Sequence, residues 1–259
     1  MHIRPATPSD FPSAASISVL CFWNDELHDY TNPWREQHPD HFRSLFLRRH
    51  KVRFVTPGYL FHVAVTDEGD QNHEGEGTVV AFAVWERRGT SKVAMVWRKD
   101  TFWKRMTHVI DDNGERPCLT IVPVLERTLL TAQESYLSLL RADKSLHYAR
   151  LAHFLAEAKS DFASIPEMWK MQTLAVHPNF QRRGIASMLL NWGKQQAGKE
   201  GVPIGLEASE LARPLYLKNG FRKFGNLHIE DFPIEDVPIF LWEPRGLEGR
   251  WGMKGDVGE

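Results

Sequence analysis

The sequence predicts an α/β protein on a mixed sheet, with a long helical insertion between the third and fourth strands. Three observations predict it. A strand, a basic glycine-containing turn and an amphipathic helix succeed one another over 168–201. A strand, two helices and a strand pair fill the first 86 residues, and a second strand–helix block follows at 202–219. Alternating strands and helices of this kind pack as layers around one sheet.

Composition narrows the class. A chain of 259 residues buries a full core as one large domain, or as one domain with an insertion. Its 32 basic and 33 acidic residues leave a net charge of −1, which argues against a general nucleic-acid binder. Two cysteines, Cys21 and Cys118, make neither a disulfide framework nor a zinc site by themselves. A reduced, cytoplasmic setting is the simplest expectation. The start Met1-His2-Ile3-Arg4-Pro5 carries no apolar targeting run. No run of about 18 apolar residues predicts a membrane span.

Residues 2–6 form the first expected strand, and Thr7 or Ser9 caps the helix after it, with Pro12 in its first turn. Ala14, Ile17, Leu20 and Cys21 are spaced for one buried face. A polar stretch, 24–38, holds Asp25, Glu26, Asp29 and Glu36. A second helix starts near Pro39 with Phe42, Leu45 and Phe46 inward. Strands are expected at 59–65 and 78–86, joined by the polar, glycine-rich loop 67–77.

The interval 88–166 exceeds an ordinary connection. It holds Trp97, Arg98, Lys99 and Trp103, then an amphipathic segment over 124–163. Leu129, Ala132, Tyr136 and Leu139 share one face, continued by Leu146, Ala149, His153 and Phe154. One or two helices laid over a single domain, 1–245, are expected, with no linker composition to mark a boundary. Past Phe221, strands are expected from Arg222 and over 237–242, and 246–259 reads as a loosely held tail.

The fourth strand, through Leu174-Ala175-Val176, ends at Pro178, which offers no N–H to a ladder. Then comes Gln181-Arg182-Arg183-Gly184-Ile185-Ala186, and Ile185, Met188, Leu189 and Trp192 recur at helical spacing, with Gly198 or Gly201 as the stop. The first turn of a helix presents unpaired N–H groups and partial positive charge, so strand, basic turn and helix start make an anion site fit for pyrophosphate. The glycine allows close backbone approach, and the arginines suit phosphate oxygens. The same residues also allow an ordinary connection with two solvated arginines. Neither a P-loop nor a G-x-G-x-x-G pattern occurs.

The six residues Gln181 to Ala186 resemble the [Q/R]-x-x-G-x-[G/A] signature of the GCN5-related N-acetyltransferases. Downstream, Leu215-Tyr216-Leu217-Lys218-Asn219-Gly220-Phe221 is similar to that family's L-Y-x-K-x-G-F block. The resemblance covers 169–224, is weaker over 1–90 and lapses between. It implies a mixed α/β acyl-CoA N-acyltransferase fold and acetyl-CoA as acetyl donor, with no metal. It implies pantetheine pairing on the main chain of Leu174, Ala175 and Val176, and pyrophosphate on the N–H groups from Gln181 through Arg182, Arg183, Gly184, Ile185 and Ala186 to Ser187. It further implies an oxyanion donor near Leu174, Tyr216 as the proton donor to the leaving thiolate, and Ser209 against the pantetheine. Ser209 serves equally as a helix N-cap.

The general base stays open. Histone-type relatives carry a glutamate four residues before Leu174, where this chain has Lys170. Glu86 and Glu207 are the substitutes, or water carries the proton; each is also readable as a surface carboxylate. His177 reads as solvent-facing. His38 and His41 lack a third ligand, so no metal site is expected.

The resemblance implies an acceptor site formed in part by the loop between the first two helices. There Asp25, Glu26, Asp29 and Glu36, with Trp23, Tyr30 and Trp34, suggest a small primary amine with an apolar or aromatic part, covered by the insertion with Trp97 and Trp103, although the same acids also read as a solvated loop. A monomer or homodimer, without nucleic-acid or membrane partners, completes the expectation. The competing class is a non-catalytic CoA-binding or protein-interaction module on the same fold.

Overall fold

The computed structural model describes residues 1–252 apart from 71–72, 74–76, 99–121, 159–161, 230–231 and 233–236. Lys99, Trp103 and Cys118 lie outside the described residues. Seven strands form one sheet: β1 (His2–Pro5), β2 (Tyr59–Val65), β3 (Val79–Arg88), β4 (Met168–Val176), β5 (Ile204–Glu207), β6 (Arg222–Leu227) and β7 (Val237–Trp242). Their order is β1-β2-β3-β4-β5-β7-β6. All pairings are antiparallel except β4 with β5.

Alternation along the strands divides the core in two. On one face Phe61, Val63, Val65, Phe82 and Val84 pack with Phe11, Ala14 and Ile17 of α1 (Phe11–Phe22). Next on this side come the short α2 (Glu26–Thr31) and α3 (Pro39–Val55), whose Phe42 and Phe46 meet Ala15. Leu20 is 53% exposed, so the inward face of α1 is narrower than its sequence spacing suggests.

On the other face Ala81, Ala83, Trp85 and Trp169 receive Ile185, Leu189 and Leu190 of α6 (Ile185–Glu200). Gly193 brings α6 close to the sheet: a Cβ there would stand 2.3 Å from the Trp85 ring. Gly201, with φ 63°, stops this helix.

The interval after β3 holds a helical stretch at 92–98, then α4 (Val122–Leu139) and α5 (Tyr148–Glu157). The face expected to point inward from α4 points outward: Leu129 and Tyr136 are exposed and Leu139 is 81% exposed. Helical spacing finds an apolar stripe without saying which side a neighbour covers, and on α4 Leu130, Glu134 and Leu137 are the less exposed positions. Trp97 does not cover the acceptor side. Its indole N–H donates to Glu200 at 2.7 Å and its ring meets Trp169 edge-on, on the α6 side of the sheet.

A buried ionic knot ties this entry down. Arg87, 2% exposed, donates to Glu200 and Glu167 at 2.7 Å each. Glu167 also accepts from the Ser91 hydroxyl and the N–H groups of Thr90 and Ser91. Burial opposes its charge, but these donors prevail and hold its carboxyl at about 2. At the other end, Glu243 accepts from Arg222 and from the Trp251 N–H, placing Trp251 beside β6. Among the described residues, no helix is long and apolar enough to cross a membrane.

Candidate active site

Sheet geometry opens the site. The β4–β5 ladder pairs only Trp169 with Ile204 and Lys170 with Gly205. Beyond that β4 runs on to Val176, while Leu206 and Glu207 turn to β7. The strands part where Gln172, Thr173 and Leu174 lose burial between buried neighbours. On the opposite edge the β3–β4 register skips Gln172: Val84 pairs Thr173 and Trp85 pairs Met171. Such a bulge re-aims side chains where a strand borders a site.

Past the strand, His177 caps a 3₁₀ turn, Pro178–Phe180. Arg182, with φ 61°, and Gly184, with φ 82°, are left-handed. Left-handed residues within a turn gather backbone N–H groups into a concavity suited to an anion. The first helical bond of α6 runs from the Met188 N–H to the Gly184 carbonyl, so the N–H groups of Ile185, Ala186 and Ser187 precede the ladder. A Cβ at Gly184 would meet nothing within 4 Å, leaving room for a ligand to approach. This turn therefore fits a pyrophosphate through main-chain groups.

The side chains here face elsewhere. Gln181 Nε2 donates to the Val176 carbonyl at 3.1 Å. Arg183 donates to the Asn179 carbonyl at 2.9 Å and lies 5.0 Å over the Phe180 ring. Ile185 is core, and the Ser187 hydroxyl accepts from Asn219 at 3.1 Å. Arg182 is exposed.

A cavity of about 880 Å³ occupies the split and extends towards α2 and α3. Thr173, Leu174, Glu207, Ser209 and Tyr216 line one end. Ser209 precedes a 3₁₀ turn, Glu210–Ala212, without a capping bond from its hydroxyl. Tyr216 sits on α7 (Arg213–Lys218), 6% exposed against Phe221 and Phe240. Burial pushes its phenol up, which keeps it protonated across ordinary pH. Leu211, in the 3₁₀ turn before α7, is 91% exposed.

The candidate bases stand differently. Glu207 lines the cavity but is ion-paired with Lys170, which is 4% exposed and 5.4 Å over the Phe162 ring. Lys170, where histone-type relatives carry a glutamate, is thus a buried counter-charge. Glu86 accepts from Arg88 at 2.8 Å and Gln172 at 2.6 Å, and it is not part of the cavity wall.

The acid-rich loop is also redistributed. Asp25 and Glu26 line the cavity, but Asp29 pairs with Arg35 and Glu36 is exposed. Trp23, Tyr30 and Trp34 are absent from the wall: Trp23 packs on Phe42, Tyr30 on Phe232 and Trp34 on His147. The apolar wall is instead Phe22, Phe46, Leu146, Phe154 and Phe232, and Ser135 and Leu137 of α4 with Leu151 of α5 close its outer side.

Sequence reasoning missed two features of this wall. His28 is buried with Nδ1 3.1 Å from Asp25 Oδ1. Arg49 and Arg53 line it from α3. Their signal lay in spacing: Arg49 is seven residues from Phe42 and Arg53 seven from Phe46, placing charge along an apolar stripe. No cluster of metal-ligating side chains is found among the described residues. Cys21 donates its thiol hydrogen to the Val176 carbonyl at 3.2 Å, and burial pushes it up to about 11, against nucleophilic use.

Comparisons with known proteins bear on the family and the fold. The family model described as "Acetyltransferase (GNAT) domain" matches residues 134–223, from within α4 into β6. A protein of Stachybotrys chartarum (strain CBS 109288 / IBT 7711) named "Acetyltransferase" is 24% identical over 230 residues, 88% of this chain and 84% of that one. A solved structure from Corynebacterium glutamicum ATCC 13032, described as histone acetyltransferase HPA2 and related acetyltransferase, superposes with a TM-score of 0.54. It covers 93% of this chain and 95% of its own at 20% identity, which is a likeness of fold.

Proposed function

This chain belongs to the GCN5-related N-acetyltransferase superfamily and is an acetyl-CoA-dependent acyltransferase, and from that premise we propose that it acetylates the primary amine of a small molecule, with Tyr216 as general acid. One observation carries this reading: Leu174, Ser209 and Tyr216 meet in one cavity where β4 and β5 part.

The residues divide the work. The N–H groups around Gly184 and the start of α6 hold the pyrophosphate, and the main chain of Leu174, Ala175 and Val176 pairs with the pantetheine. Acetyl-CoA supplies a thioester carbonyl. The free amine attacks its carbon, forming C–N, and the C–S bond breaks with its electron pair passing to sulfur. The main chain near Leu174 donates to the oxygen as it gains charge, an electrostatic contribution that is large in a water-poor site. Tyr216 gives its phenolic proton to the departing sulfur and regains one when the ammonium of the new bond loses its own. A phenol raised by burial suits this step because the thiolate leaves into the same desolvated space, which raises its basicity too. Glu207 is ion-paired with Lys170 and shapes the wall; water takes the proton of the incoming ammonium before attack, which leaves the amine free.

The walls of α4 and α5 beside the cavity support a small acceptor over a protein tail lying in an open groove. Incubation with acetyl-CoA and a panel of small primary amines and lysine peptides tests this. Free thiol should appear in step with acetylated small amine. Lysine peptides as the best acceptors, or thiol release with no acetamide, would refute the reading.

A further inference from the structure

Five cations and five carboxylates line the cavity, Asp25 and Glu26 among the latter, but not every cation is held in an ion pair. Arg48 is paired with Glu134 and Asp143, Arg88 with Glu86, and Lys170 with Glu207. Arg49 and Arg53 remain, four residues apart on α3 and therefore neighbours on one side of that helix. Both line the cavity and both are half-buried. Arg53 spends one N–H on the Thr173 hydroxyl at 2.7 Å. Arg49 makes no hydrogen bond or ion pair with any described residue.

Two neighbouring cations withdrawn from water cost free energy that the charges of Asp143 and Glu134 near Arg49 and of Glu86 near Arg53 offset only in part, and a bound anion relieves the remainder. Burial, then the charge of Arg53, pushes Arg49 down to about 10, and burial pushes Arg53 down as well. A guanidinium presents a planar fork of donors matched to carboxylate or phosphate oxygens. Position adds to chemistry. Thr173, to which Arg53 is tied, directly precedes Leu174, so the pair stands on the same wall as the point assigned to acyl transfer.

We propose that the acceptor carries an acid group as well as its amine, and that Arg49 and Arg53 bind that group as a carboxylate or phosphate. This rests on the cavity being the acceptor site of the proposed transferase. The cavity has apolar surface for the body between the two ends, from Phe22 and Phe46 beside α3 to Phe154 on α5.

Matched acceptors test it in the full-length protein. Phenylalanine is compared with phenethylamine, and phosphoethanolamine with ethylamine, by amine-dependent thiol release. Each is also titrated calorimetrically into the enzyme with CoA. The acid-bearing member of at least one pair should have a kcat/KM higher by roughly 10- to 100-fold, the scale of hydrogen bonds to a charged group. The pair that shows the gap identifies carboxylate or phosphate. Arg49→Gln should shrink that ratio towards one while acetyl-CoA affinity, measured alongside, reports an intact fold. Turnover of both members without preference, or a preference that survives Arg49→Gln, would overturn the proposal while leaving the transferase reading intact. If no amine is turned over, the transferase reading fails, and the calorimetric arm decides the anion site alone: absence of acid-dependent, Arg49-dependent binding overturns it.

Discussion

The turn at 181–187 and the cavity beside it, the two halves of the proposed site, are built from different material. The turn works with main-chain groups: Arg182 and Gly184 are left-handed, Gly184 opens on free space, and the side chains of Gln181 and Arg183 fold back on Val176 and Asn179. The cavity works with side chains that α2, α3, α4, α5 and the ends of β4 and β5 contribute from distant parts of the chain. A backbone site needs a particular conformation at a few adjacent residues, so it leaves a short local pattern. A side-chain site needs only that the fold bring groups together, so it leaves almost none.

The largest expected effect breaks the first half. At Gly184→Asp the fold should persist, because a Cβ meets nothing there and aspartate tolerates left-handed backbone better than most residues. Its carboxylate would face the pyrophosphate, and juxtaposed like charges cost several kcal/mol. Acetyl-CoA binding by calorimetry should weaken roughly 100-fold or more. Unchanged affinity in a folded protein would remove this turn from the donor site.

A smaller effect separates the site from its support. Gly193→Val should destabilise the fold by about 1–3 kcal/mol, because α6 lies too close to the fully buried Trp85 to admit a branched side chain. Denaturant midpoints would read the loss, and a neutral result would mean the α6–sheet contact is looser than described.

The smallest effect concerns the entry to the insertion. Glu167 has a folded-state pKa of about 2 against an ordinary 4.5. A depressed carboxylate contributes stability that is complete above the unfolded value and is lost as pH falls from about 4.5 towards 2. Glu167→Gln should flatten that part of the acid limb in a urea-midpoint profile. An unaltered limb would assign acid sensitivity to other lowered carboxyls, such as Asp10 and Glu243.

The same contrast explains what was legible. Strand β4, its stop at Pro178, the open Gly184 and the Gly201 helix stop are local decisions and were readable from neighbouring residues. The extra residue at Gln172 was not, because a bulge is defined only against the β3 register. Leu129, Tyr136 and Leu139 were correctly seen to share a side of α4, but a helix in isolation does not declare its partner. Trp97 was assigned to the acceptor side by its place in the chain, and its bond to Glu200 put it on the opposite one. Arg49 and Arg53 had a faint signal as charges on an apolar stripe, which apolar spacing alone passes over.

The account's central claim is that donor binding and catalysis are separable, the turn holding acetyl-CoA and the cavity holding the proton donor. Tyr216→Phe tests it most directly, with acetyl-CoA affinity and kcat measured on one preparation. The phenyl ring retains the packing on Phe221 and Phe240 and loses only the hydroxyl. Affinity should stay within about twofold while kcat falls about 10²-fold, the scale of a lost general acid. A variant that keeps its kcat, or that loses acetyl-CoA affinity in proportion to rate, would contradict it.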